Sequence, residues 1–279
     1  MNRREFQKTL GLAVASLFNK RLLTLSKEEG SAPRQSPATD REIRASAPQA
    51  PPQQIAMLIY PAFTAQDLIG PHTLLAGPSN AQVHLVWKDK SAVPIDRGGV
   101  SVNPTTTFAE CPRDLDVLFV PGGLDGTTAA IGDREILDFL ADRGKRAKYV
   151  TSVCTGSIVL GAAGLLNGYK ATSHWATRDI LPLLGATPVA QRVVEDRNRI
   201  TGAGVTSGLD FGLILAARLW NAQFAKMLQL LNEYDPQPPL HAGSPETAGP
   251  EITERVRGWL RPGVDEMRAA AGDAFKRSK

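Results

Sequence analysis

Cys154 is the residue of this sequence with the clearest chemical potential. It follows the apolar run 149–153 and precedes a segment rich in small residues, which predicts a strand, a sharp turn and a helix, the layout of a nucleophile elbow. At a helix N-terminus, the exposed N–H groups and the helix dipole favour the nucleophilic thiolate. The same cysteine could instead be a small hydrophobic residue of the core. The first hypothesis predicts a cysteine-dependent enzyme.

A carboxylate and a glycine pair could support such a cysteine. Asp67 lies just after the first predicted strand, at the start of a helix, where it could be a general acid/base tuned by burial or a helix cap. Gly122 and Gly123 follow the apolar run 117–120. Adjacent glycines at a strand end let backbone N–H groups approach a ligand, as an oxyanion hole requires, although turn formation explains them equally well.

The elements that must position these groups alternate between strand and helix. Apolar runs predict strands at 55–60, 83–87, 116–120 and 149–153, and a short strand at 171–175. His84, in the second of these, is expected on a solvated face. An amphipathic pattern predicts a helix at 133–143. Further helices are predicted at 176–184 and, as a long apolar helix, through 231. Residues 193–201 are predicted to form a hairpin that turns at 196–198.

This alternation predicts an α/β fold with a mostly parallel sheet covered on both faces, which binds ligands beyond the carboxyl ends of its strands. Asp67, the glycine pair and Cys154 each follow such an end. The convergence favours a catalytic Cys154 over a core cysteine.

The charge distribution limits the range of functions. Residues 1–54 contain nine Lys/Arg and five Asp/Glu, which leaves 23 of each sign in residues 55–279. Because the body is neutral, the basic excess indicates targeting and argues against a nucleic-acid groove. Two cysteines do not make a disulfide framework, and we expect both to be free.

The N-terminal segment divides into two parts. Residues 1–27 contain Asn2-Arg3-Arg4-Glu5-Phe6, which resembles the twin-arginine export motif, before a short and weakly apolar stretch. Residues 28–54 are rich in Pro, Ala, Ser and Gln and predict a disordered linker. The interpretation is export to the periplasm; the alternative is a basic tail on a cytoplasmic protein. No apolar run reaches the roughly 18 residues of a membrane span.

The remaining chain is predicted to form a catalytic domain at 55–234 and a tail at 235–279. The tail comprises a Pro-rich loop and a terminal amphipathic helix over 251–277.

Four motifs, in order and over roughly residues 55–232, resemble the ThiJ/PfpI family of the class I glutamine amidotransferase-like superfamily. They lie at 66–71, 116–123, 153–156 and 171–175. The resemblance implies a flavodoxin-like three-layer sandwich, usually homodimeric. It also implies a Cys154 nucleophile, an Asp67 acid/base and an auxiliary hydroxyl at Thr155.

The details of the motifs narrow the reaction. Thr155 stands where protease-like and deglycase-like members carry His, and no later His-x-Glu pair supports glutamine hydrolysis. Within the family the motifs are most similar to members that hydrate isonitriles. The resemblance thus implies a hydro-lyase that forms a Cys154 thioimidate and releases an N-substituted formamide, with no metal or cofactor.

In that reaction Thr155 would orient Asp67 or water, and backbone amides at Gly122, Gly123 and Gly156 would stabilise developing charge. His174 is either a structural histidine or an auxiliary proton shuttle. Glyoxalase-like or deglycase-like chemistry on another small electrophile is an alternative. So is a non-catalytic redox or ligand sensor, although no helix-turn-helix pair is predicted after residue 234.

Overall fold

The computed structural model describes residues 52–78 and 80–277, the last three by backbone alone. The predicted leader and most of the predicted linker lie outside these residues. The chain divides into two units, residues 1–52 with 77–81 and residues 53–76 with 82–279. The candidate site lies in the second unit.

A seven-stranded sheet forms the centre of this unit, in the order β10-β11-β7-β6-β1-β2-β5. Its strands are β1 (Gln53–Leu58), β2 (Ala81–Trp87), β5 (Thr106–Thr107), β6 (Val117–Val120), β7 (Tyr149–Val153), β10 (Val193–Asp196) and β11 (Arg199–Gly202). The pairs β1–β6, β6–β7, β7–β11 and β2–β5 are parallel. The antiparallel pair β10–β11 confirms the predicted hairpin, with Arg197 in the left-handed region at its turn.

Two short ribbons lie beside the sheet. They pair β3 (Val93–Pro94) with β4 (Ser101–Val102) and β8 (Lys170–Ala171) with β9 (Thr187–Pro188).

Two groups of helices flank the sheet and give the predicted sandwich. In the first, α1 (Ala65–Leu75) packs on α5 (Ser207–Leu219), which is followed by α6 (Ala222–Leu231). The second group consists of α2 (Leu124–Gly132), α3 (Arg134–Gly144), α4 (Gly156–Ala162), a 3-10 helix (Arg178–Leu184) and α7 (Pro245–Arg277). Within it, α2 contacts α3, α4 and α7, and the 3-10 helix contacts α4 and α7.

The central parallel strands lie in the core of the unit. All four residues of β6 are buried, as are residues 55–58 of β1, because helices cover both faces of these strands. The layout brings the carboxyl ends of β1, β6 and β7 to one edge of the sheet, where the three predicted groups follow.

Three predicted boundaries were wrong. The long helix breaks at Trp220, after which the Asn221 side chain caps α6 by accepting from Phe224 N. The terminal segment Pro245–Arg277 is kinked at Gly249, whose φ of 78° and ψ of 168° are not helical, and the helix that follows the kink agrees with the predicted 251–277. β1 begins inside the predicted linker, and the predicted strand at 171–175 shrinks to a bridge at Lys170–Ala171, since the following residues turn into the 3-10 helix.

The expected solvated position of His84 was also wrong. Its ring is buried and lies 3.1 Å from Thr106 Oγ1 and 2.8 Å from Gln54 Oε1. Burial lowers the pKa of His84, which favours a neutral ring.

Candidate active site

Cys154 lies on a strained turn that the surrounding backbone and hydroxyl groups hold in place. Its φ of 57° is in the left-handed region, which residues other than glycine rarely adopt. Its N–H donates to the carbonyls of Gly202 and Ala203 at 3.1 and 2.7 Å. Its carbonyl accepts from Ser157 Oγ and Ser173 Oγ at 3.2 and 3.1 Å. The structure therefore contains the predicted elbow.

Gly156 lets α4 start directly against the end of β6. A Cβ at this position would lie 2.2 Å from the carbonyl oxygen of Val120 and 2.7 Å from that of Pro121. Because both neighbours are backbone atoms, no side chain could give way. The requirement for glycine here is steric, whatever its N–H does during a reaction.

Asp67 is aimed at the elbow and does not cap its own helix. Thr64 occupies the N-cap position of α1, and Asp67 Oδ2 accepts from Gly122 N at 2.9 Å. The carboxyl group has no exposed surface, and Oδ1 accepts no well-oriented hydrogen bond from the described residues. The Cys154 thiol nevertheless lies near enough to interact with the carboxyl group by hydrogen bonding.

Burial sets the protonation of this thiol and carboxyl pair. It raises the pKa of Asp67 to about 7, against the lowering effects of the Gly122 N–H and the Cys154 thiol. It raises the pKa of Cys154 well above the usual range, and the nearby Asp67 charge adds to this, whereas the Thr155 N–H acts in the opposite direction. Burial therefore opposes the expected resting thiolate, because it disfavours the charged form of the sulfur. The resting pair is a thiol beside a carboxyl group that can accept its proton.

Thr155 connects the elbow to the glycine loop. Its buried Oγ1 accepts from Gly123 N at 2.9 Å, donates to Gly123 O at 3.0 Å and lies 2.8 Å from Thr127 Oγ1. These contacts place the hydroxyl on the loop and on α2. Any orienting effect on Asp67 passes through that loop.

The amides of Gly122 and Gly123 are already engaged inside the protein. The first donates to Asp67 and the second to Thr155, so in this geometry neither is a free donor for an oxyanion. A Cβ on Gly122 would lie 2.6 Å from Thr155 N and 2.8 Å from Asp67 Oδ2. The glycine pair therefore positions the carboxylate and the hydroxyl, which corrects its predicted direct role.

The contacts of His174 are with the backbone and with a neighbouring ring. Its Nδ1 accepts from Ala176 N at 3.3 Å, and its ring packs against Gly204 and near Trp175. Burial, with a smaller effect of Arg178, lowers the pKa of His174 to about 4, so the ring is neutral near pH 7. These contacts favour the structural interpretation over the proton shuttle.

Four hydroxyl groups at the site were not assigned a role from the sequence: Tyr60, Thr127, Ser157 and Ser173. Ser173 lies within one of the recognised motifs and Ser157 three residues after the cysteine, so proximity in sequence could have indicated both. Tyr60 and Thr127 are far from Cys154 in the sequence, and the tertiary structure brings them near the elbow. Both cysteines are free, as expected.

The described residues contain no group of three or more His, Cys, Asp or Glu side chains arranged to hold a metal ion. In the same part of the chain, no helix combines the length and the apolar character that a membrane crossing needs.

The fold and the elbow define an α/β protein with a mostly parallel sheet and a buried cysteine paired with a carboxyl group. Residues 53–218 match the DJ-1/PfpI family, and the chain belongs to that family. It is 49% identical over 212 residues to isonitrile hydratase of Pseudomonas putida, covering 76% of this chain and 91% of that protein.

Two other relatives differ in how far the likeness extends. The crystal structure of a ThiJ/PfpI family protein from Pseudomonas syringae superposes with a TM-score of 0.78 at 49% identity, covering 88% of this chain and all of that one. The transcriptional regulator GbdR of Pseudomonas aeruginosa is 32% identical over 177 residues, which is 60% of this chain and 47% of the regulator.

Proposed function

We propose that this protein adds water to an isonitrile and releases an N-substituted formamide. The observation that carries the proposal is the buried pair of Cys154 and Asp67 at the elbow, where the thiol and the carboxyl group interact by hydrogen bonding. A carboxyl group suits this chemistry because it can accept a proton from sulfur and return it to carbon. The likeness to isonitrile hydratase of Pseudomonas putida, which extends over nearly the whole of that enzyme, supports a related hydratase activity.

In the first step, Cys154 Sγ bonds to the terminal carbon of the isonitrile. The thiol proton passes to Asp67, which delivers it to the same carbon and leaves a thioimidate, Cys–S–CH=N–R. A carboxyl pKa of about 7 suits both transfers, since neither protonation state is strongly favoured at neutral pH. The Thr155 N–H, which lowers the pKa of Cys154, would stabilise the negative charge that develops on the sulfur during the attack.

In the second step, water adds to the thioimidate carbon while Asp67 accepts a proton from it. Asp67 passes that proton to nitrogen, which gives Cys–S–CH(OH)–NH–R. The C–S bond then breaks as the hydroxyl oxygen becomes the formyl carbonyl, the proton of that hydroxyl passes through Asp67 to sulfur, and R–NH–CHO leaves. The sum is the isonitrile plus one water, with the enzyme regenerated. Covalent catalysis replaces one difficult addition by two easier ones.

The test is to incubate the purified protein with an alkyl isonitrile and to detect the formamide by mass spectrometry. We expect Cys154→Ala to abolish turnover and Cys111→Ala to retain it, because Cys111 is buried beside Arg143, away from the elbow. The isonitrile-treated wild type should also show a covalent adduct on the peptide that contains Cys154. Formamide production by Cys154→Ala at the wild-type rate would contradict the proposal.

Two other functions predict different results. A glyoxalase-like or deglycase-like enzyme would consume methylglyoxal without turning over isonitriles. A redox sensor would gain oxygen on Cys154 in dilute peroxide, but burial and a raised thiol pKa both oppose thiolate oxidation. A homodimer, which the family resemblance implies, is part of the proposal, and light scattering in solution would test it.

A further inference from the structure

Three buried hydroxyl groups connect the end of β1, α2 and the elbow. Tyr60 OH donates to Pro121 O at 2.7 Å and lies 3.2 Å from Thr127 Oγ1. Thr127 Oγ1 in turn lies 2.8 Å from Thr155 Oγ1. All three side chains are at least 95% buried. We call Tyr60, Thr127 and Thr155 the hydroxyl chain.

The hydroxyl chain holds the loop of residues 121–123 on both sides of Gly122. Tyr60 fixes the carbonyl of Pro121, and Thr155 fixes both the N–H and the carbonyl of Gly123. The Thr64 N–H, which donates to the Gly122 carbonyl at 2.8 Å, and these hydroxyl contacts together hold the loop. The Gly122 N–H that holds Asp67 is therefore directed by groups that do not touch the carboxylate themselves.

The loop packs closely against Thr155 and Asp67. Any Cβ on Gly122 would lie within 2.8 Å of both Thr155 and Asp67 atoms. A small movement of the loop would therefore change the Gly122 to Asp67 hydrogen bond. Packing alone does not require hydroxyls here, since valine would fill the volume of Thr127.

We propose that Thr127 and Tyr60 are positioning residues, which hold the loop of residues 121–123 so that Gly122 keeps Asp67 directed at Cys154. Neither residue needs to contact the substrate. The activity readout of this proposal rests on the proposed function, but the reactivity of Cys154 reports on the same geometry independently.

The central experiment compares Thr127→Val with Thr127→Ser. The valine variant should lower kcat about tenfold, the change expected when one buried hydrogen bond of a network is lost, with KM changed less than about twofold. The serine variant restores the hydroxyl and should keep most of the activity. Thr128→Val is the matched control, because the Thr128 hydroxyl donates to the Leu124 carbonyl of its own helix and to no other group among the residues that the structure describes.

The pH profile separates positioning from general damage. The Gly122 N–H lowers the pKa of Asp67, so a loosened loop should raise it. The acidic limb of kcat/KM for Thr127→Val should then move from near pH 7 to about pH 8, while Thr127→Ser keeps the wild-type midpoint. If Thr127→Val kept both the wild-type kcat and the wild-type midpoint of the acidic limb of kcat/KM, the proposal would be overturned.

Alkylation of Cys154 by iodoacetamide gives the independent readout. Its rate should show the same upward shift of midpoint in Thr127→Val, whether or not the protein hydrates isonitriles. If the wild type is alkylated but produces no formamide, the proposed function is wrong. The alkylation midpoints would still show whether Thr127 positions the loop. If Thr127→Val does not fold, Tyr60→Phe decides by the same two profiles, and unshifted midpoints in both measurements would overturn the proposal.

Discussion

At the residue scale, one physical effect shapes the whole site. Burial raises the pKa of both Asp67 and Cys154, which keeps the thiol protonated and leaves a carboxyl group able to exchange a proton. The two groups interact, so the pair titrates as a unit. The reactive form of the Cys154 and Asp67 pair carries one proton fewer than the fully protonated form.

This protonation state predicts how activity depends on pH. Below about pH 7 the pair holds both protons, and as pH rises through that value the carboxylate becomes available as a base. We expect kcat/KM for an alkyl isonitrile to rise through about pH 7 and to stay high toward pH 9, because the second proton is lost only well above the usual thiol range. Initial rates from pH 5 to pH 9 would check this. A limb centred near pH 4 would contradict it.

Replacing the carboxylate should separate activity from stability. Asp67→Asn keeps an acceptor for the Gly122 N–H but cannot exchange protons, so kcat should fall by about 10² to 10⁴. Asp96→Asn is the control, because Asp96 only accepts from Thr64 Oγ1 and influences Asp67 by its charge. It should keep most of the activity.

The stability change in Asp67→Asn should depend on pH. The folded-state pKa of about 7 exceeds the ordinary value of 3.8, so the folded protein binds the proton more tightly and wild-type stability falls as pH rises between these values. The asparagine side chain does not titrate, so the variant does not lose stability in this way. Relative to wild type, its free energy of unfolding should rise by up to about 4 kcal/mol between pH 4 and pH 8. Urea denaturation at both pH values would measure it, and an equal difference at both would count against burial as the cause.

At the element scale, the close approach of α4 to β6 predicts a large effect of one methyl group. Gly156→Ala should destabilise the protein by about 3 kcal/mol, since the new Cβ would meet two backbone carbonyls that cannot move aside. Gly258→Ala in α7 is the matched control, because its Cβ would enter open space. It should be neutral or stabilising by up to about 1 kcal/mol. Denaturant midpoints would compare the two, and equal midpoints would contradict the steric argument.

The terminal helix α7 belongs to the packed structure of the enzyme domain. Met267 on its inner face is fully buried, whereas Trp259 is 72% exposed. Met267→Ala should cost about 2 to 5 kcal/mol, and Trp259→Ala should change the free energy of unfolding by less than about 0.5 kcal/mol. Chemical denaturation of both variants would test this. Similar values for the two would mean that α7 does not pack as described.

Local sequence patterns predicted the secondary-structure elements better than they predicted the burial and protonation of individual side chains. Continuous apolar runs identified β6 and β7, and the small residues after Cys154 identified the elbow. The burial of His84 was not predictable because its partners Gln54 and Thr106 come from other strands. The protonated thiol was not predictable either, since it depends on desolvation by the complete fold.

At the scale of the whole molecule, the charge is separated along the sequence. The body from residue 55 onward carries equal numbers of positive and negative residues, and the excess of four positive charges lies in residues 1–54. A neutral body with a basic N-terminal segment is consistent with a folded enzyme that carries a targeting signal. That interpretation rests on the sequence, because residues 1–51 lie outside the described part of the structure.

The paired arginines Arg3 and Arg4 predict export in a bacterial host that has the twin-arginine pathway. Arginine and lysine carry the same charge but differ in hydrogen-bonding geometry, so a receptor that reads the guanidinium pair should reject lysines. We expect cell fractionation to find the wild type in the periplasm with a shortened N-terminus, and Arg3→Lys with Arg4→Lys to remain full length in the cytoplasm. The control, Arg41→Lys with Arg44→Lys, makes the same change of residue type and should be exported. Wild-type protein recovered only as the full-length cytoplasmic chain would show that residues 1–54 are a basic tail and not an export signal.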